Sequence, residues 1–244
     1  MDATSTFGIA PGASCAPLSP PLTECLSRLA HDLRGPLGPL HMAAQLLLDG
    51  RPPTAPELRA LGRTLGRQTQ RMSMLADDLD DVLRIASGCF PLHIDRCDLH
   101  ACLRDGLDLA EGRARLRGLV PRTIVLRLPE PPIAVLADAA RFAQLVALVA
   151  GAVAPETDGE IDCHMACERH DGNVHVRLRD ASRRIWRSAT IDYVMSGQVP
   201  EDPGTLALSA IIARTIADAH AATLSIAEES GGRIGELQLV LPEG

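Results

Sequence analysis

Two apolar stripes of helical period constrain the N-terminal part of this 244-residue chain more than any other feature. One covers residues 22–47 and the other residues 58–82, and both advance in steps of three and four, which places their side chains on one face of a helix. Gly50, Pro52 and Pro53 interrupt the pattern between them. Two amphipathic helices joined by so short a loop fold back on each other, so the sequence predicts an antiparallel helical hairpin.

The second helix carries its own start signal. Thr54-Ala-Pro-Glu57 has the spacing of a capping box, with a proline in the first turn. The stripe that follows alternates steps of three and four through four heptads, as in a coiled coil, and only Gln68 interrupts it. A single hairpin covers both stripes poorly, so we expect two copies to form a four-helix bundle. Packing of the hairpin against the rest of the same chain is the alternative.

Composition limits the function. The net charge is 24 − 31 = −7 and all 24 basic residues are arginine, which excludes a P-loop or Schiff-base lysine and argues against dedicated nucleic-acid binding. Seven cysteines, an odd number, are typical of reduced thiols in a chain of this size. Residues 1–20 lack the pattern of a targeting segment and are predicted to be a disordered tail. No stretch approaches the ~20 apolar residues of a membrane span, so the sequence predicts a soluble, cytoplasmic protein.

Beyond Gly88 the hydrophobic period changes repeatedly between that of strands and that of helices. Strands are predicted at residues 90–94, 123–128, 133–136, 161–167, 174–178, 223–227 and 234–241, and helices at residues 99–109, 139–152 and 206–220. This mixture predicts an α+β layer in which helices cover one face of a single mixed sheet.

Several polar clusters are predicted to be structural. Cysteine and histidine occur together at residues 97–102 and 163–167, but without the C-x₂-C spacing of a zinc site. Cys163, Met165 and Cys167 alternate on one strand face, which predicts core packing and no metal site. Two charged runs are predicted to lie on solvated faces. They are Asp77, Asp78, Asp80 and Asp81 on the second helix, and Arg113, Arg115 and Arg117 with Arg122 and Arg127.

His31 is the candidate reactive residue of the first helix. It lies two residues from both Leu29 and Leu33, and at about 100° per residue it points away from the apolar stripe, towards solvent. Asp32 follows it, and Pro36 removes one helical hydrogen bond, which predicts a bend nearby. A carboxylate beside an imidazole can fix its tautomer and take its proton, leaving the other ring nitrogen free to attack phosphorus. Ordinary surface histidine is the alternative that this physics leaves open.

The residues around His31 resemble a known family. Residues 29–37, Leu-Ala-His-Asp-Leu-Arg-Gly-Pro-Leu, are similar to the H-box of sensor histidine kinases. Residues 74–88 resemble the end of that family's second dimerisation helix, residues 135–145 the start of its ATP-binding domain, and residues 239–242 that domain's last strand. The motifs follow one another in the family's order, and the resemblance covers about residues 22–243.

This resemblance implies a fold and a set of roles. The fold is of the α plus α/β class: residues 21–88 form a hairpin that dimerises into a four-helix bundle, and residues 89–244 form a Bergerat-type α/β sandwich. The hairpin is expected to dock the receiver domain of a response regulator. His31 is expected to be the phosphoacceptor, while Asp32 orients and deprotonates its imidazole and Arg34 steadies the phosphoryl group.

The resemblance is incomplete where the family binds its nucleotide. Leu148 and Ala152 fall at the positions of two metal-binding asparagines, and neither can ligate a hard cation. Residues 180–184, Asp-Ala-Ser-Arg-Arg, keep the aspartate that would accept from adenine but lack both glycines of the phosphate loop. Asp180 is therefore the one residue expected to retain a nucleotide contact. Gly35 replaces a Thr or Asn with which the family often positions water, so regulator dephosphorylation by that route is not expected.

These departures favour a homodimeric phosphorelay protein that moves a phosphoryl group between His31 and a receiver aspartate. The chain is expected to have no cofactor of its own, no productive ATP binding, and Mg²⁺ supplied with the receiver domain. An upstream histidine kinase is a further partner that such a relay allows. Two alternatives stay open. One is an authentic ATP-dependent kinase in which arginines near residue 184 restore the lost charge, and the other is a non-catalytic scaffold that binds a regulator or a kinase.

Overall fold

The computed structural model describes residues 20–48, 52–121, 123–152, 163–180, 189–198, 208–229 and 233–242. Within these ranges it does not describe the side chains of residues 20–28, 180, 189, 228–229 and 233–235. The expectations for the N-terminal tail, for the loop at 49–51 and for the phosphate loop after Asp180 therefore lie outside the described residues.

The hairpin expected from the two apolar stripes is present. Helix α1 spans Pro20–Leu48 and continues through two internal prolines, and α2 spans Ala55–Ala86. The backbone N–H of Thr54 donates a 2.7 Å hydrogen bond to the Glu57 carboxylate, as the capping-box spacing predicts. After α2 the chain turns at Gly88, whose φ of +70° is a conformation that favours glycine.

The C-terminal domain contains seven strands and four helices in its described part. They are β1 (Asp95–Asp98), α3 (Leu99–Leu116), β2 (Ile124–Arg127), β3 (Ala134–Ala137), α4 (Ala139–Ala152), β4 (Cys163–His170), β5 (Asn173–Asp180), α5 (Ala189–Ser196), α6 (Leu208–Ala219), β6 (Thr223–Glu229) and β7 (Arg233–Pro242). The larger sheet has the order β2-β4-β5-β7-β6, with β2 and β4 parallel and the other pairs antiparallel. A helical hairpin followed by a mixed α/β sandwich confirms the expected fold class.

Three details of the sequence-based prediction are wrong. Residues 90–94 form no strand; the first strand is β1, which pairs antiparallel with β3. This pair forms a separate two-stranded sheet, so the strands do not make one sheet. Helix α5 was not predicted at all. The error in the first strand has a physical cause. β1 forms by pairing with β3, about 40 residues away, and the local sequence pattern carries no information about that pairing.

The core lies between the larger sheet and the helices. Its fully buried side chains include Phe142, Leu145 and Ile212, from α4 and α6. Cys163 and Cys167 are 3% and 5% exposed, which confirms the expected core packing. Burial raises the pKa of the Cys167 thiol to about 11, so this cysteine is a neutral hydrophobic group at physiological pH.

Gly106 allows α3 and α4 to approach closely. A Cβ on Gly106 would lie 2.6 Å from Cβ of Val146 and 2.8 Å from the backbone oxygen of Ala143. Neither neighbour is the end of a flexible side chain, so a larger residue would push the helices apart. This contact between α3 and α4 also affects the hairpin, because each of these helices carries an arginine that pairs with an aspartate of α2.

We expect the Gly106→Ala variant to lose about 1–3 kcal/mol of unfolding free energy in urea denaturation, because overpacking outweighs the better helix propensity of alanine. Gly112 is the matched control, since it lies on the same helix and a Cβ there would meet nothing within 4 Å. Gly112→Ala should be neutral or stabilise by up to about 1 kcal/mol. Equal effects of the two substitutions would contradict the close approach at Gly106.

Candidate functional site

His31 lies on α1 with its side chain 84% exposed, as its place opposite the apolar stripe predicts. Oδ1 of Asp32 lies 3.5 Å from Nδ1 of the imidazole, and the carboxylate is itself 42% exposed. This distance is long for a hydrogen bond but close enough for electrostatic attraction. The carboxylate of Asp32 faces Nδ1 of His31, so the other ring nitrogen, Nε2, does not interact with Asp32. Arg34, three residues after His31 in the sequence, is exposed.

A cleft of about 760 Å³ opens beside Asp32, where residues of the hairpin face residues of α3 and α4. Apolar side chains from α3, β2 and α4 form much of its wall. Four arginines also line it, namely Arg71 of α2 and Arg104, Arg113 and Arg117 from the end and flank of α3. The cleft thus lies next to the residue that follows the histidine, and three carboxylates, those of Asp32, Asp108 and Glu111, line it together with the four arginines.

The expectation that the acidic run of α2 faces solvent is wrong for two of its four members. Asp78 and Asp81 are only 4% and 7% exposed, whereas Asp77 and Asp80 are exposed. Asp78 accepts hydrogen bonds of 2.7 and 3.2 Å from Arg113, so this arginine is not on a solvated face either. A signal was present in the sequence, because Met74, Asp78 and Asp81 follow helical steps of four and three on one face.

Asp81 makes the second contact between the hairpin and the α/β domain. Nη1 of Arg141 lies 2.8 Å from each of its carboxylate oxygens, and Nε2 of Gln144 donates to Oδ2 at 2.8 Å. The guanidinium of Arg141 also lies 4.5 Å from the ring centre of Phe90, a cation–π contact. The start of α4 is therefore fixed to the end of α2 by charge, hydrogen bonds and an aromatic ring.

Asp138 fixes the position of α4 from the other side. Its carboxylate accepts hydrogen bonds from the backbone N–H groups of His93 at 2.9 Å and Arg141 at 3.0 Å. Burial opposes ionisation of Asp138, but these two hydrogen bonds and the charge of Arg141 outweigh it and hold the pKa of the carboxyl below its usual range. The backbone N–H of Asp138 donates to Nε2 of His220, which joins α4 to the end of α6.

The positions expected to hold a nucleotide-bound metal lie on α4. Leu148 is 6% exposed and Ala152 is half-buried, and both line the cleft. Gln144 has the only amide side chain of this helix, and it is engaged with Asp81 and Arg141. These residues do not fit Mg²⁺, which prefers oxygen ligands. Asp180 ends β5 with its backbone paired to Cys163, and its side chain lies outside the described residues.

Comparison with known proteins identifies the hairpin and shows which fold the α/β domain shares. Residues 22–88 match the family model of the His Kinase A (phospho-acceptor) domain. The structure as a whole resembles the Acinetobacter baumannii histidine kinase AdeS, with a TM-score of 0.59 and 19% identity over 88% of this chain and 98% of that chain. The chain thus combines a His Kinase A (phospho-acceptor) domain with an α/β domain whose fold matches that of solved histidine kinases.

Other histidine kinases share the fold at similar distance. ThkA, solved in complex with the response regulator TrrA, has a TM-score of 0.55 and 17% identity, covering 91% of this chain and 62% of that chain. ShkA, solved with AMPPNP, has a TM-score of 0.57 and 20% identity, covering 92% and 46%. The sensor histidine kinase MtrB of Mycobacterium tuberculosis and Mycobacterium bovis is 26% identical over 173 residues, 66% of this chain. That match spans 30% of the length of MtrB.

The helices in the described ranges include none with both the length and the hydropathy of a membrane span.

We expect Asp81→Ala to lower the free energy of unfolding by about 2–3 kcal/mol, because it removes the acceptor of Arg141 and Gln144 at a site where neither is fully solvated. Urea denaturation followed by circular dichroism measures the change. Asp80→Ala is the matched control one residue away. Asp80 is 61% exposed and pairs with Arg84 at 2.8 Å, so its loss should cost no more than about 0.5 kcal/mol. Similar losses in both variants would argue against an interdomain role for Asp81.

Proposed function

We propose that this chain carries a phosphoryl group on His31 and exchanges it with an aspartate of a response regulator. The observation that supports the proposal most directly is the 84% exposed imidazole with the Asp32 carboxylate 3.5 Å from Nδ1. A docking receiver domain can reach so exposed a ring without any rearrangement of the hairpin. The similarity of fold to ThkA, which was solved with a response regulator, supports a partner of this kind.

The transfer needs little chemistry from this chain. The bond between phosphorus and the aspartyl oxygen breaks, its electron pair leaves with the receiver carboxylate, and a bond forms between Nε2 of His31 and phosphorus. The attacking imidazole becomes cationic, and Asp32 accepts the proton from Nδ1. Arg34 steadies the phosphoryl charge, and Mg²⁺ comes with the receiver. Positioning and electrostatics supply most of the rate in phosphoryl transfer, so a well-placed nitrogen and a docking surface suffice.

In this proposal the chain does not charge itself from ATP and has no cofactor of its own. Leu148 and Ala152 line the cleft where metal-binding side chains are expected, and the amide of Gln144 is already engaged. A triphosphate carries about four negative charges, and each missing charge-assisted contact would forfeit about 1.5–3 kcal/mol. We therefore derive no step through a nucleotide.

The proposed working form is a homodimer. Met42 and Leu46 lie one turn apart near the loop end of α1 and are 64% and 51% exposed, and Leu58 at the start of α2 is 50% exposed. Apolar side chains this exposed on two neighbouring helices favour burial against a second copy of the hairpin. A four-helix bundle covers them without blocking His31, which lies more than two turns away along α1.

The transfer is tested with receiver domains phosphorylated by acetyl phosphate. The wild-type chain should take up acid-labile phosphate, and His31→Ala should take up none. His41→Ala is the matched control, because His41 is another exposed histidine of α1 and should leave transfer unchanged. Asp32→Asn should slow transfer by about 100-fold, since it removes the base and keeps the shape. A receiver that binds tightly without transferring its phosphoryl group would instead indicate that the chain is a non-catalytic scaffold.

The dimer is tested by light scattering after size-exclusion chromatography. Leu46→Glu should raise the dimer dissociation constant at least tenfold, because it places a charge in the proposed apolar interface. Leu136→Glu is the control, since Leu136 is equally exposed at 53% but lies on β3, away from the hairpin. A wild-type mass of one chain at micromolar concentration would contradict the homodimer.

ATP-dependent autophosphorylation is the second candidate, and one observation favours it. The cleft extends from Asp32 to Gly151 and Ala152 at the end of α4, and four arginines line it. Incubation with radiolabelled ATP and Mg²⁺ in the absence of any partner separates the two functions. Labelling of the wild type that is absent from His31→Ala would show that the chain is an ATP-dependent kinase. It would contradict the proposal that the ATP site has decayed.

A further inference from the structure

Arg71 of α2 lies against Gly35, one helical turn beyond His31 on α1. Its Nη2, Cζ and Nη1 atoms lie 3.7, 3.9 and 4.0 Å from the position that a Cβ on Gly35 would occupy. The guanidinium therefore rests on the surface of α1 where a longer side chain at residue 35 would compete for the space. Residues four apart on a helix have Cβ atoms about 5–6 Å from each other, so Arg71 comes close to the base of His31.

The surroundings of Arg71 leave its charge available. In the described part of the chain it makes no ion pair within 4 Å, whereas Arg113 and Arg141 are committed to Asp78 and Asp81. Arg71 and Asp32 line the same cleft, and the Asp32 carboxylate is the group next to the His31 ring. Arg34 and His31 are both exposed and do not themselves line this cleft.

A phosphoryl group on His31 needs a counter-charge from this protein. Bound to nitrogen, it carries between one and two negative charges and has three acceptor oxygens, beside the carboxylate of Asp32 and in a chain of net charge −7. A guanidinium has five donors in a planar fork that matches such oxygens, and its hydrogen bonds to them are charge-assisted. Arg71 is half-buried and lines the cleft that opens beside Asp32, the residue next to His31.

We infer that Arg71 is a phosphoryl-binding residue of the His31 site. Its guanidinium occupies space on α1 that the absence of a side chain at Gly35 leaves open. It attracts the incoming phosphoryl group and retains it on His31, and it changes no bond itself. The inference rests on the proposed function of His31. It deepens that function by assigning a residue from the second helix, where the H-box motif gives no indication of one.

The test uses phosphoramidate, a small donor that phosphorylates histidine without any protein partner. In this reaction the nitrogen–phosphorus bond of the donor breaks, ammonia leaves, and the bond from His31 to phosphorus forms. Arg71→Gln should slow the charging of His31 by about three- to tenfold at low ionic strength, because the anionic donor loses its attraction to the site. Arg71→Lys should restore part of the rate. Arg67→Gln is the matched control, since Arg67 is exposed on the same helix one turn earlier and does not line the cleft.

A second readout separates binding of the phosphoryl group from a structural role. In ³¹P spectra recorded against pH, the pKa of the phosphohistidine phosphoryl group should be about 0.5 unit or more lower in the wild type than in Arg71→Gln, because a nearby cation favours the dianion. Arg67→Gln should match the wild type. Equal charging rates and equal titrations in wild type and Arg71→Gln would overturn the inference.

The two proposals fail in different ways. If His31 is charged by phosphoramidate and shows the Arg71 effects, but no phosphorylated receiver exchanges with it, the relay function is wrong and the phosphoryl site stands. If receivers exchange with His31 at the same rate in wild type and Arg71→Gln, and the ³¹P titrations coincide, the relay stands and Arg71 has no role in it.

Discussion

Two ion pairs set the position of the hairpin relative to the α/β domain, and the accessibility of the histidine depends on that position. Asp78 and Asp81 of α2 are nearly excluded from water, and their guanidinium partners come from α3 and α4. A buried carboxylate without its partner is strongly unfavourable, so arrangements that keep both pairs are favoured. One face of α2 is thereby committed to the α/β domain, while the side of α1 that carries His31 stays open to a partner.

The same contacts engage the polar side chains of α4, the helix on which the resemblance places metal-binding asparagines. Arg141 and Gln144 are the polar side chains of α4, and both are bound to Asp81. Further along the helix only apolar side chains and a glycine follow, and Leu148 packs into the core. The helix thus uses its polar groups for contact with the hairpin and has none left for a cation. A relay that receives its phosphoryl group from a partner is compatible with this division of roles.

Much of the architecture could be predicted from local patterns. The bounds of α4 agree with the helix predicted at residues 139–152, and the hairpin, its capping signal and the turn at Asp171-Gly172 follow from short-range spacing. The prediction failed where the partner is distant in sequence. β1 is defined by its pairing with β3, and the burial of Asp78 depends on an arginine 35 residues away. A charged run on a helix is typical of a solvated face, and nothing in the run itself predicts which members find a cation.

By itself, the sequence determined that α1 presents an exposed histidine with a neighbouring carboxylate. Periodicity places His31 opposite the apolar stripe, and the neighbouring Asp32 comes with it in the chain, because these relations involve residues within one or two helical turns. Only the tertiary structure decided which side chains from other elements pack against α1 and α2. The approach of Arg71 to Gly35, and of Arg113 and Arg141 to the acidic face of α2, joins residues 35 to 60 positions apart. Such contacts are set by the packing of whole helices, which no short window of sequence contains.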